Sequence, residues 1–114
     1  MDIRRGEIYL VSLDPTVGSE IKKTRPALII QNDVGNKYSP LTIVAPVTST
    51  PRAKKYPTEV NITAEESGLD SDSTVLLTQI RTIDKSRIVR RLGALSQARM
   101  REVDQAIRVS LAIS

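Results

Sequence analysis

The chain has 114 residues, 39% hydrophobic and 26% charged, with a net charge of +4 and a pI near 9.7. That size supports one core rather than two, and that balance describes a folded globular chain rather than a disordered one. Cysteine and histidine are both absent, which excludes disulfides, thiolate or imidazole metal sites, a Cys nucleophile, a Ser–His–Asp triad and paired-histidine RNA cleavage.

From the N-terminus, Met1-Asp2-Ile3-Arg4-Arg5 leads into no apolar signal segment, so the chain is expected to begin here and to remain in the cytoplasm. No apolar run approaches the roughly 20 residues that cross a bilayer, so no membrane role is expected. Residues 7–13 alternate between Gly6 and Asp14-Pro15 and read as a strand. Residues 15–24 are polar, contain Gly18 and read as a long mobile loop. Residues 26–31 form a continuous apolar run, hence a buried strand, and residues 32–40 read as turns. A second buried strand covers 41–47, with Pro46 placing an edge or a bulge near its end.

After a basic stretch at 52–55, residues 59–62 read as a brief strand. Thr63 and Glu66 then have capping-box spacing, and Gly68 stops the single helical turn they start. Residues 74–77 and 88–92 complete the strands, with Asp84 capping a short turn between them. From Ser96, a good N-cap, Met100, Val103, Ile107 and Leu111 recur at helical spacing and lay one apolar stripe along a C-terminal helix. Together these elements predict a mainly β (α+β) single domain over residues 1–114, a small antiparallel barrel or sheet packed by helices.

The positive charge is clustered. Lys22-Lys23-Thr24-Arg25 and Arg52-Ala53-Lys54-Lys55 are compact basic runs in expected loops, either solvated charge or a footprint for a polyanion. Pro26 holds Arg25 extended at a strand start, and its planar guanidinium can grip two phosphate oxygens at once. For a lone Arg-Pro, a surface ion pair is the plainer reading. Thr48 follows the strand 41–47, where its hydroxyl serves either a phosphate oxygen or a turn. Stacking capacity is thin, with no Trp or Phe. Tyr9 is expected to pack in the first strand, which leaves Tyr56, beside Lys54 and Lys55, as the better stacking candidate.

Four segments taken together carry a resemblance over essentially the whole chain. They are Arg-Arg-Gly-Glu-Ile-Tyr at 4–9, Gly-Ser-Glu-Ile-Lys-Lys-Thr-Arg-Pro at 18–26, Ala-Pro-Val-Thr-Ser at 45–49 and Leu-Leu-Thr-Gln-Ile-Arg-Thr-Ile-Asp at 76–84. In these the chain resembles the MazF/PemK (Kid-like) toxin family. The resemblance implies an SH3-like barrel, usually a homodimer, acting as the toxin of a type II toxin–antitoxin pair. It further implies a sequence-specific endoribonuclease that cuts single-stranded mRNA without a metal or other cofactor. Such cleavage uses the substrate's own 2′-OH and leaves 2′,3′-cyclic phosphate and 5′-OH ends.

By the same resemblance Arg25 and Thr48 are the catalytic pair, with Ser49 beside Thr48, and Ser19 and Gln79 contact RNA. Arg81 is expected on a phosphate, and Lys22, Lys23, Lys54, Lys55 and Tyr56 are expected to add RNA affinity. Arg25 is effectively always protonated, so it fits a clamp better than a base. Glu20 is the candidate general base, or else the ion-pair partner of Lys22 or Lys23.

The implied antitoxin lays an acidic, partly disordered tail across the toxin's loops, and the pair is expected to bind operator DNA. Two other readings fit the same fold: a toxin that poisons a topoisomerase by protein contacts, and a silent barrel that binds RNA without cutting it. One departure stands out. Relatives often carry Gln and then glycines where this chain has Ile21, Lys22 and Lys23, so a stiffer, more basic loop and a changed RNA recognition sequence are expected.

Overall fold

Alternation along strand β1 (Glu7–Ser12) sorts its side chains onto two faces, and both faces are buried. Ile8 enters one apolar cluster, Tyr9 and Val11 a second. The computed structural model describes residues 2–15, 17–20, 23–49 and 55–114. Within these, β1 is followed by β2 (Thr24–Ile29), α1 (Asp33–Tyr38), β3 (Leu41–Thr48), β4 (Glu59–Ile62), α2 (Ala64–Ser67) and β5 (Ser73–Leu76). Then come β6 (Arg81–Asp84), a single 3-10 turn (Lys85–Arg87), β7 (Ile88–Ala94) and α3 (Gln97–Leu111).

Every strand pairing is antiparallel. The strand order is β4-β5-β3-β2-β1-β7, with β6 also on β3, which gives an open, barrel-like sheet whose outer strands are β4 and β7. β3 is shared between two partners on one side: Leu41 to Val44 pair with β6, whereas Val47 and Thr48 pair with β5. Pro46 lies in the gap between them. It therefore marks a change of partner inside the sheet, where a missing N–H is tolerated, and not the expected edge.

The first cluster joins Ile8, Leu28, Ala45, Val47, Val75 and Leu77 to Val103 and Ala106 of α3. Complete burial of Val103 contributes roughly 2 kcal/mol. Met100 and Ile107 pack on the same cluster, but Leu111 is 56% exposed. The helix has turned away by then: Ser110 Oγ donates to the Leu77 carbonyl at 2.7 Å, and Ala112 closes the helix in the left-handed conformation.

Two elements differ from the sequence reading. The stretch 32–40 contains helix α1 instead of turns alone. Asn32 caps it by accepting the Gly35 N–H at 2.7 Å. Buried Asn36 donates to the Gln31 carbonyl at 2.9 Å and accepts from the Thr42 hydroxyl at 2.7 Å. Side-chain hydrogen bonds build this helix, so apolar periodicity carries no trace of it. The second is β6, which was not expected. Only Ile83 of its four residues is buried, leaving too little apolar signal to read as a strand.

Arg5, part of the N-terminal motif, proves to be a fastener. Its Nε donates to the Ile30 carbonyl at 2.8 Å and its Nη2 to Asp104 Oδ1 at 2.6 Å, tying the chain start to β2 and α3. The Arg5 N–H also donates to Asp33 Oδ1 at 2.7 Å; that bond holds the Asp33 carboxyl below its ordinary range.

Candidate active site

Arg25 is the second residue of β2, and Thr48 is the last residue of β3. The β2–β3 register runs Ile29↔Val44, Leu28↔Ala45, Ala27↔Pro46. Arg25 and Thr48 each lie two residues beyond the last of these pairs, where Arg25 pairs with Val11 of β1 and Thr48 with Thr74 of β5. Arg25 is half-buried, whereas Thr48 is buried, only 8% exposed, and lines neither of the two clefts nearby.

A cleft lies on each side of this strand end. The larger, about 550 Å³, is lined by Arg25, Thr24 and Ser49, by the segment 68–71 with Ser73, and by Arg90 to Leu92 of β7. The smaller, about 490 Å³, is lined by Val17, Ser19, Glu20, Pro46 and the run from Thr78 to Arg81. Ser19, Glu20, Gln79 and Arg81, singled out in sequence, are thus brought together. Gln79 belongs to the turn between β5 and β6, its N–H donating to the Leu76 carbonyl at 3.2 Å. Lys55 and Tyr56 line a separate depression of about 340 Å³ against α3. Lys22 and Lys54 lie outside the described residues.

The base of the loop after β1 is anchored by cations. Arg81 Nη1 donates to the Leu13 carbonyl at 2.9 Å, and Arg87 Nη1 to the Ser12 carbonyl at 3.2 Å. Arg81 still has further N–H groups, so this bond does not exhaust its capacity for a phosphate. Lys23 closes the loop's far side. Its N–H donates to Asp14 Oδ1 at 3.0 Å, its carbonyl accepts from Leu13 at 3.2 Å, and its φ is +71°. Glu20 Oε1 accepts the Val17 N–H at 2.9 Å, and its other carboxylate oxygen has no hydrogen bond among the described residues.

Arg25 in the larger cleft and Arg81 in the smaller give each a guanidinium able to hold an anion. Among the described residues no three or more acidic side chains gather so as to hold a metal ion. No helix among them is long and apolar enough to cross a membrane. Arg90 and Asp70, both in the larger cleft, escaped the sequence reading. Arg90 is recognisable only once the β1–β7 register is known, and Asp70 only once the segment after α2 is seen to wall the cleft.

A small open antiparallel sheet closed by a C-terminal helix, with two clefts at one end of its central strands, defines the class of fold. A family model described as the PemK-like, MazF-like toxin of type II toxin–antitoxin systems matches residues 4–111, and the chain belongs to that family. A MazF crystal structure from Deinococcus radiodurans is 29% identical, covers 98% of each chain and superposes with a TM-score of 0.80. The Mycobacterium tuberculosis toxin MazF-mt6 is 28% identical, with 95% of this chain and 98% of that one covered and a TM-score of 0.80. A mycobacterial endoribonuclease in complex with its cognate antitoxin shares the fold, with a TM-score of 0.82 over 98% of this chain and 97% of that one at 23% identity.

Proposed function

We propose that this toxin is a metal-independent endoribonuclease that cuts single-stranded mRNA in the cytoplasm at a preferred sequence. The observation that supports the reading is Arg25 at the strand end, lining the larger cleft, with Arg81 in the smaller one beside Ser19, Glu20 and Gln79. The substrate's 2′-OH attacks the adjacent phosphorus, the bond to the 5′-oxygen of the next nucleotide breaks, and a 2′,3′-cyclic phosphate and a 5′-OH result. Arg25 grips the two non-bridging oxygens, whose charge grows in the phosphorane-like transition state. Thr48 donates to one of those oxygens or orients the 2′-OH.

One proton must leave the 2′-OH and one must reach the leaving oxygen. Glu20 is the candidate base, through the oxygen not held by Val17. Arg25 or water supplies the second proton. Ser19 and Gln79 share a cleft with Glu20 and read base edges there, Arg81 meets a phosphate, and Ser49, beside Thr48, contacts the RNA. Lys22, Lys23, Lys54, Lys55 and Tyr56 add affinity that is largely sequence-independent.

The toxin is a homodimer silenced by a cognate antitoxin whose acidic, partly disordered tail covers the basic clefts, and the complex binds operator DNA. Support comes from the family and from a structural neighbour described as an endoribonuclease bound to its cognate antitoxin.

The test is cleavage of a long unstructured RNA in excess EDTA by wild type and Arg25→Ala. Discrete cuts ending in 2′,3′-cyclic phosphate, lost in the variant, are expected. Intact RNA from folded, antitoxin-free wild type across many sequences would return the chain to the binding-module reading.

A further inference from the structure

We propose that the larger cleft is a reading site for a nucleotide flanking the scissile phosphate, with Asp70 selecting a base that bears an exocyclic amino group and Arg90 holding the adjoining phosphate. The inference rests on the ribonuclease reading and adds to it two residues and a base preference.

The floor of the cleft is one cross-strand row. Arg90 of β7 pairs with Leu10 of β1, and Leu10 pairs with Pro26 of β2. The β2–β3 register, continued, adds Val47. Residues directly opposed across antiparallel strands share a face, so the row presents one cation and then two accessible apolar side chains in line. At about 4.8 Å per strand, half-buried Leu10 and Pro26 make an apolar strip on which the edge of a nucleobase face can lie, with buried Val47 of the core beneath it. Arg25, at the strip's edge, fixes where the reacting phosphate lies.

The wall opposite is held firmly. Gly68 takes a positive φ of +77°, and a Cβ there would lie 2.8 Å from the Leu92 carbonyl oxygen, so the wall presses directly on β7. Asp72 Oδ1 accepts the Ala64 N–H at 2.8 Å, and Ser73 Oγ donates to the Ser71 carbonyl at 2.9 Å. Asp72 is therefore engaged in building the wall. Asp70 makes no hydrogen bond or ion pair among the described residues, although it lines the same cleft.

The two neighbouring arginines divide in the same way. Arg91 Nε donates to Glu7 Oε2 at 2.7 Å, whereas Arg90 has no such partner among the described residues. A guanidinium at one end of an apolar strip and a carboxylate on the wall, neither with a partner among the described residues, prescribe the ligand. A carboxylate repels phosphate, so the phosphate lies at the Arg90 end and a hydrogen-bond donor must meet Asp70. Adenine, cytosine and guanine offer an exocyclic amino group. Uracil offers one N–H flanked by two carbonyl oxygens that repel a carboxylate.

The experiment is digestion of an RNA library randomised around the cut site, with cyclic-phosphate ends mapped, by wild type, Asp70→Asn and Arg90→Gln. Wild type is expected to disfavour uracil by about tenfold at one flanking position. Asp70→Asn is expected to level that preference and leave the other positions as they were. Arg90→Gln is expected to weaken binding alike across sequences and to reduce the slope of log affinity against log salt by about 0.7. Both side chains are exposed, and denaturation midpoints confirm that each variant is folded. An Asp70→Asn variant with an unchanged motif overturns the subsite while the ribonuclease reading stands. A wild type that cuts no RNA overturns both.

Discussion

Arg99 of α3 grips Glu66 of α2 with both carboxylate oxygens engaged: Nε donates to Oε1 at 2.8 Å and Nη2 to Oε2 at 3.0 Å. Glu66 also closes its own capping box, accepting the Thr63 N–H at 2.9 Å. One side chain thus starts a helix and ties it to another. The Arg99 hydrogen bonds hold the Glu66 carboxyl below its ordinary value of 4.5. Depression of a carboxyl means its stabilisation is complete above that ordinary value and is lost as pH falls through the folded one. We expect Glu66→Gln to cost about 2 kcal/mol at pH 7, and wild type and variant to converge in stability as pH drops below 4.5. Urea denaturation of both proteins between pH 7 and pH 3 checks this; a gap that stays constant in acid would contradict it.

Gly93 is required by packing rather than by its φ. A Cβ on it would fall 1.9 Å from the Ser67 carbonyl oxygen and 2.9 Å from the carbonyl carbon. Backbone on one side and the Ile8 pairing on the other leave neither partner free to yield. Gly93→Ala should therefore cost about 3 kcal/mol, at the upper end for overpacking, visible as a lower denaturation midpoint. An unchanged midpoint would mean that α2 and β7 separate easily.

Local chemistry was the legible part of this chain. Thr63, Glu66 and Gly68 lie within one turn of each other, so their capping motif is written in adjacent letters. The bounds of β4 and the cap at Ser96 were readable for the same reason. Helix α1 was not, because its hydrogen bonds run through Asn36 to Thr42 and Gln31 instead of through an apolar stripe. Strand β6 hides behind three polar or charged residues out of four. Arg25 and Thr48 were visible through their motifs at two strand ends. Arg90 and Asp70 were not, since the β1–β7 pairing carries register shifts between Ile8 and Tyr9 and between Leu10 and Val11. A pleat interrupted twice cannot be followed from alternation alone.

Arg25→Lys separates geometry from charge at the proposed centre. A lysine keeps the positive charge but loses the planar fork that spans two oxygens. If Arg25 acts chiefly in the transition state, kcat should fall by about 10²–10³-fold. Affinity for an uncleavable 2′-deoxy substrate should change less than about threefold, because ground-state attraction depends mainly on charge. Single-turnover cleavage and fluorescence anisotropy measure the two. Equal losses in both would make Arg25 a binding residue.

Lys23 combines charge and strain in one position. Its φ of +71° lies in the left-handed region, which costs a residue with a Cβ roughly 1–2 kcal/mol. Glycine is free of that penalty but adds entropy to the unfolded chain. Lys23→Gly should therefore be more stable than Lys23→Ala by about 1 kcal/mol in chemical denaturation. Both remove the same charge, so both should reduce the salt slope of RNA binding by the same amount, about 0.7. Stability then reports the backbone and the salt slope reports the ammonium group. If Lys23 instead chooses the RNA sequence, the two variants will change the cleavage motif while the salt slope stays at the wild-type value. Mapping cyclic-phosphate ends alongside the binding titrations decides between these outcomes.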